Sequence, residues 1–110
     1  MDPNEEMERK SEHRAIDARY GSVEITVNES GPTYMFRIRN LPLSGTGILV
    51  KEDSGVLEHL KVGDKWNMKY NPIVASDLPE YLKTKIKHIK KGGKGRVKGH
   101  CWVDLLVVEN

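Results

Sequence analysis

A two-residue alternation that returns along the chain constrains the fold more than any other feature. In residues 22–27, Val23, Ile25 and Val27 point one way, and Ser22, Glu24 and Thr26 the other. In residues 34–40, Tyr34, Phe36 and Ile38 share one face with Asn40 at its end, while Met35, Arg37 and Arg39 share the opposite face. In residues 65–71, Trp66, Met68 and Tyr70 oppose Lys65, Asn67, Lys69 and Asn71. A period of two marks a strand with one buried face. Helical spacing is weak by comparison. Residues 5–14 show no apolar stripe, and residues 53–60 offer only Val56, Leu57 and Leu60, enough for one or two turns.

Turn chemistry separates these runs. Asn28-Glu29-Ser30-Gly31-Pro32 joins the first two into a hairpin. Asn40-Leu41-Pro42-Leu43-Ser44-Gly45-Thr46-Gly47 crowds two glycines and a proline into a sharp turn, and residues 47–50 then form a short apolar strand. Gly63-Asp64 breaks the chain before the 65–71 run, and Pro72 stops it. Residues 74–82 read as a loop with a helical turn near Pro79-Glu80-Tyr81-Leu82. Residues 83–90 read as a strand whose phase slips between Ile86 and Ile89, which implies a bulge. Lys91-Gly92-Gly93-Lys94-Gly95 is a hairpin turn, and residues 96–108 form the longest strand. That strand is apolar on both faces at Leu105, Leu106, Val107 and Val108, so its end is covered or paired with a partner, and a homodimer is one such pairing. The count is six strands with little helix. It predicts an all-β fold, a six-stranded antiparallel barrel with one or two short helical turns. Val23, Ile25, Phe36, Ile38, Trp66, Met68 and Ile86 would fill it, and closure would remove exposed strand edges.

Length and charge narrow the function. A chain of 110 residues fits one domain, read as a flexible tail over residues 1–8 and a barrel over residues 9–110. Such a chain buries one core and has little room for a large internal cavity, so a ligand is expected at the surface. Net charge is only +2, yet five acids lie between Asp2 and Glu12, and eight basic residues with no acid lie from Lys83 to Lys98. No apolar run reaches the length of a membrane span, and the acidic N-terminus lacks the apolar stretch of a signal peptide. One cysteine, Cys101, excludes an internal disulfide and fits a reducing compartment. A cytoplasmic protein is expected. The four histidines are scattered, without Cys-x-x-Cys or His-x-x-x-His pairing, so neither a metal site nor a cofactor is expected. Ser44 lacks the Gly-x-Ser-x-Gly elbow and no acid–base pair stands out, which argues against an enzyme.

Two basic features remain. Lys83, Lys85 and Lys87 share one strand face, and Lys90, Lys91, Lys94, Arg96 and Lys98 continue the charge around the hairpin. Such a ribbon can track a nucleic acid backbone through residues 83–98. It carries no aromatic residues for base stacking, however, and reads more simply as a solvated face. The second feature is Arg9-Lys10-Ser11-Glu12-His13-Arg14, upstream of the first strand. Arginine offers a planar fork that grips phosphate and stacks on a flat base. On charge alone this segment reads equally as a surface cluster or as a site, and the Asn40 turn alone reads as a β-turn.

In combination, and in this order, the two features resemble the PilZ domain, the bacterial receptor for the second messenger cyclic di-GMP. In that family an Arg-x-x-x-Arg segment precedes the first strand of a six-stranded barrel, and Asp/Asn-x-Ser-x-x-Gly follows the second. Lys10-Ser11-Glu12-His13-Arg14 stands for the former and Asn40-Leu41-Pro42-Leu43-Ser44-Gly45 for the latter. Gly63-Asp64, Thr84-Lys85-Ile86 and Gly99-His100-Cys101-Trp102-Val103 are similar too, so the resemblance runs from Arg9 onward. Lys10 replaces the first arginine and keeps charge without the fork. Pro42 replaces the serine and has neither a hydroxyl nor a backbone N–H. The resemblance implies a cyclic di-GMP receptor that acts on an effector protein in trans. Arg9, Lys10 and Arg14 would fold across the ligand, Asn40 would meet a guanine edge, Ser44 would replace the missing hydroxyl, and Gly45 would admit close backbone approach. Binding would order the N-terminal segment and so create a new surface. A PilZ domain that no longer binds the nucleotide and acts by protein contact is the alternative, and nucleic acid binding a second.

Overall fold

A computed structural model describes residues 13–41, 45–92 and 98–108. The elements in order are β1 (His13–Arg14), β2 (Tyr20–Thr26), β3 (Thr33–Arg37), β4 (Arg39–Leu41), β5 (Gly45–Lys51), a 3₁₀ turn (Gly55–Glu58), β6 (Lys65–Pro72), β7 (Glu80–Lys91) and β8 (His100–Val108). The fold is all-β, and every strand pairing is antiparallel. One sheet runs in the order β3-β2-β6-β7-β8-β5-β4, with β1 added beside β8. No helix among the described residues is long and apolar enough to cross a membrane.

The sheet curls until its two ends nearly meet, because β3 and β4 are one run of chain interrupted at Ile38. The first half zips to β2, with Val23 opposite Phe36. The second half zips to β5, with Asn40 opposite Thr46. At the corner the Ile38 N–H still donates to the Gly21 carbonyl at 2.9 Å. Among the described residues eight strand segments therefore stand where six were predicted. The 34–40 run has to serve two neighbours and breaks between them, and the short β1 was not anticipated.

Alternation fixes what fills the interior. Val23, Ile25, Met68 and Ile86 are buried as expected, while Phe36, Ile38 and Trp66 pack partly buried against them. Ile48, Val50, Tyr70, Val103, Leu105 and Val107 complete the core. The expected bulge lies in β7, where the pairing with β8 shifts register between Ile86 and His88. The helical turn expected near Pro79 is absent. Glu80, Tyr81 and Leu82 pair with Tyr70, Lys69 and Met68 of β6, so cross-strand hydrogen bonding extends β7 through them. Residues 53–60 give a single 3₁₀ turn, where the Ser54 Oγ accepts from the Val56 N–H at 3.4 Å and Val56 is buried. The longest strand is β7, with 12 residues, and not the last, with 9. Gly99 turns the chain at a φ of +81° just before β8 begins.

One polar pair inside the barrel sets its response to alkali. The Tyr70 hydroxyl and the Thr84 hydroxyl lie 2.7 Å apart in the core, and the Thr84 hydroxyl also donates to the Leu82 carbonyl at 3.2 Å. Burial pushes the Tyr70 phenol up to about 12, against a smaller opposing effect of the Thr84 hydrogen bond. The unfolded chain ionises this group near pH 10, so above that pH the folded state holds the extra proton. Stability from this source is complete below pH 10 and is lost as pH rises toward about 12. Urea melts are expected to show this decline, and Tyr70→Phe is expected to flatten it. At neutral pH the same variant is expected to lose about 1 kcal/mol, the net worth of a buried hydrogen bond.

Candidate functional site

The site is built from the short connection between β1 and β2. In β1, His13 pairs with Val108 and Arg14 with Val107. At Val107 the other edge of β8 is taken by Thr84 of β7. Thus β1 occupies the edge that β5 uses farther along, where Gly47 faces Asp104. The chain then turns inward, and Ile16 enters the core. The Asp17 carboxylate accepts the Arg19 N–H at 2.9 Å, and the Tyr20 N–H donates to the Asp17 carbonyl at 3.2 Å. These bonds close a turn that delivers the chain to β2.

A clamp holds that turn against the β6–β7 hairpin. The Arg19 guanidinium lies 4.9 Å from the Tyr20 ring centroid and donates to the Glu80 carboxylate at 3.2 Å. The Tyr20 hydroxyl donates to the same carboxylate oxygen, and the Ile73 N–H donates to the Arg19 carbonyl at 2.8 Å. The Tyr20 phenol is held above its ordinary value, first by burial and then by the hydrogen bond and charge of Glu80, which outweigh Arg19.

Beside the clamp opens a cleft of about 810 Å³, within the usual range for a small-molecule site. Its walls are Ile16, Asp17, Ala18 and the β2 residues Tyr20, Gly21 and Ser22. Opposite them stand Met35, Arg37 and Ile38, then Asn40 and Thr46, with Ile73 at the rim. Met35 and Ile73 are 67% and 70% exposed, large apolar side chains at a cleft mouth. Such a cleft offers apolar surface for a flat ring. The Arg37 guanidinium can take phosphate or a ring face, and the Asn40 amide both donates and accepts.

Of the predicted site residues, Asn40 lines this cleft. Gly45 lies opposite Leu41 at the start of β5, with a φ of +88° that favours glycine. The backbone of Arg14 is paired in β1, a difference from the expectation of a mobile lead-in, because β8 extends past β5 and offers a free edge there. Arg9, Lys10 and Ser44 lie outside the described residues, as does Pro42. Arg37 and Met35 were not chosen from the sequence, although their shared strand face was legible. Asp17, Tyr20 and Ile73 gave no local signal, since they meet only through the fold.

A second cleft, also about 810 Å³, runs along the outer faces of β2 and β6 past Glu24, Thr26, Asn67, Lys69 and Tyr81. None of the described residues predicted to bind ligand lines it. Among the described residues no group of three or more His, Cys, Asp and Glu side chains could hold a metal ion. Compared with family models, curated proteins and solved structures, the chain matches none.

The clamp generates a direct expectation. In Glu80→Ala, Arg19 and the Tyr20 hydroxyl lose their common acceptor, so the turn is freed from β7. Limited trypsin digestion is expected to cut after Arg19 several-fold faster in the variant than in the wild type. Cutting elsewhere is expected to stay unchanged.

Proposed function

We propose that the protein is a cyclic di-GMP binding module of PilZ type, with its ligand seated in the cleft beside Asn40. The observation that carries this reading is the meeting, in one cleft, of the lead-in after Arg14 with the edge of the Asn40 turn. They adjoin the two motifs in which the sequence resembles the family, Lys10–Arg14 and Asn40–Gly45, and 26 residues (40 − 14) separate Arg14 from Asn40 along the chain. Cleft chemistry supports the same ligand. Cyclic di-GMP carries two negative charges and two flat purines with polar edges. Met35 and Ile73 provide apolar surface for a ring, Arg37 a cation, and Asn40 a donor and an acceptor for a guanine edge.

In this reading Arg14 and, from the preceding segment, Arg9 and Lys10 close over the phosphates. Ser44 and Gly45 complete the floor. The backbone of Arg14, paired in β1 with β8, is two residues before Ile16 in the cleft wall, and in this reading that anchoring reduces the ordering cost of binding. Arg37 supplements the lysine at position 10, which has no guanidinium fork. The ordered segment then presents a new face to an effector protein.

Isothermal titration with cyclic di-GMP tests this. Saturable binding is expected for the wild type. Arg14→Ala and Asn40→Ala are each expected to weaken it by about ten- to a hundredfold, as loss of a hydrogen bond to a charged ligand implies. No binding by the wild type, or equal binding by both variants, would remove this reading.

A further inference from the structure

Two features set the lysines of β7 apart from an ordinary solvated face. The first is their place in the sheet. Lysine often blunts an open strand edge, but Lys85 is paired on both sides, with Lys65 of β6 and with Leu106 of β8. Lys65 and Lys85 stand directly opposite each other, and like charges so placed destabilise a strand pair. Lys83 follows on the same face, opposite Asn67, and Lys87 is exposed two residues beyond Lys85. Among the described residues the ion pairs are Arg19 with Asp17 and Glu80, and Lys69 with Glu24; none engages Lys65, Lys83, Lys85 or Lys87. The fold thus concentrates positive charge here against its own stability.

The second feature is an aromatic ring that only the fold brings to the lysines. From the sequence, Tyr81 belongs to a helical turn and the basic run carries no stacking surface. In the structure β7 begins at Glu80, so Tyr81 falls in phase with Lys83 and Lys85 on one strand face. It stands directly opposite Lys69 and is 66% exposed, an open ring at the head of a lysine row. Tyr81 also lines the second cleft, together with Trp66, Asn67, Lys65 and Lys69.

The acids of that cleft give it a direction. Glu24 accepts from the Asn71 amide at 2.9 Å and lies 3.7 Å from the Lys69 ammonium. Glu29 and Asp64 are exposed in the turns before β3 and before β6. Negative charge therefore lies on the β2 side and unpaired positive charge on the β7 side. A ligand that fits has anionic groups along β7 and a flat, uncharged part turned toward Tyr81 and the cleft.

We propose that the outer face of β6 and β7 binds single-stranded nucleic acid. The phosphates follow Lys65, Lys83, Lys85 and Lys87, a base stacks on Tyr81, and the Asn67 amide meets a base edge in the cleft. A duplex keeps its base faces stacked on one another, so only a single strand offers Tyr81 a partner. This site shares no residue with the cleft beside Asn40, and it does not rest on the cyclic di-GMP reading.

The test is fluorescence anisotropy of the full chain with a labelled oligothymidylate of about twelve nucleotides. Saturable binding is expected at low salt. Its logarithm is expected to fall with that of salt at a slope of about −2 to −3, as three or four phosphate contacts imply. Lys65→Gln/Lys83→Gln/Lys85→Gln is expected to flatten that slope and weaken binding at least tenfold. Tyr81→Ala is expected to weaken binding about tenfold with the slope unchanged, and Tyr81→Phe to bind as the wild type does. The same strand annealed to its complement is expected to bind more weakly, although it carries more charge. No binding at low salt would overturn the proposal. So would equal binding by Tyr81→Ala and wild type, which would mark a face for polyanions in general, such as polyphosphate or an anionic membrane. An unchanged slope in the lysine variant would also overturn it, by placing the phosphate contacts elsewhere.

Discussion

The break at Ile38 is the constraint on which the rest of the architecture depends. One run of chain, Thr33 to Leu41, hydrogen-bonds β2 with its first half and β5 with its second. That double service brings the two ends of the sheet together and removes most exposed edge. It also creates the cleft, because the chain cannot bend between two neighbours without opening space on the convex side. Met35 and Arg37 stand before the bend and Asn40 after it, and lead-in residues 16–18 line the same cleft. Site and closure thus have one cause.

The lead-in is held at both ends by different physics. At one end β1 adds to β8 by backbone hydrogen bonding. At the other, Glu80 gathers Arg19 and the Tyr20 hydroxyl, and the Tyr20 ring meets the Tyr70 ring at 5.4 Å between centroids. Between these anchors Ile16 fills the barrel end. The Arg19–Glu80 pair is half-exposed and contributes little by itself. Its value lies in the shared acceptor, which couples a surface ion pair to a buried phenol and through Tyr70 to the core. Charge is divided as well: acids precede the barrel, and lysines cover the outer face of β7.

Much of the fold was legible in the sequence because burial on one face imposes a period of two. Val23, Ile25, Met68 and Ile86 were placed in the core by that rule alone, and the slip after Ile86 located the bulge. The break at Ile38 was not legible, since alternation from Tyr34 to Asn40 continues straight through it. Which neighbour each half pairs with is a non-local fact. The strand character of Glu80, Tyr81 and Leu82 was hidden for the same reason: Pro79 suggests a turn, and only pairing with β6 overrides it. The site divides likewise. Asn40, which turn chemistry singled out, lines the candidate cleft, and Arg37 was visible on a face with Met35. Tyr20 and Glu80 are 60 residues apart, and no local pattern links them.

The central claim is that a cyclic dinucleotide sits where the lead-in meets the Asn40 turn. Titrating cyclic di-GMP into nitrogen-15-labelled protein and following amide shifts tests it most directly. The account predicts shifts concentrated at residues 14–22, 35–40 and 45–46 and at Ile73, with the second cleft beside Lys69 and Tyr81 undisturbed. Shifts confined to that second cleft, or none at saturating nucleotide, would contradict it.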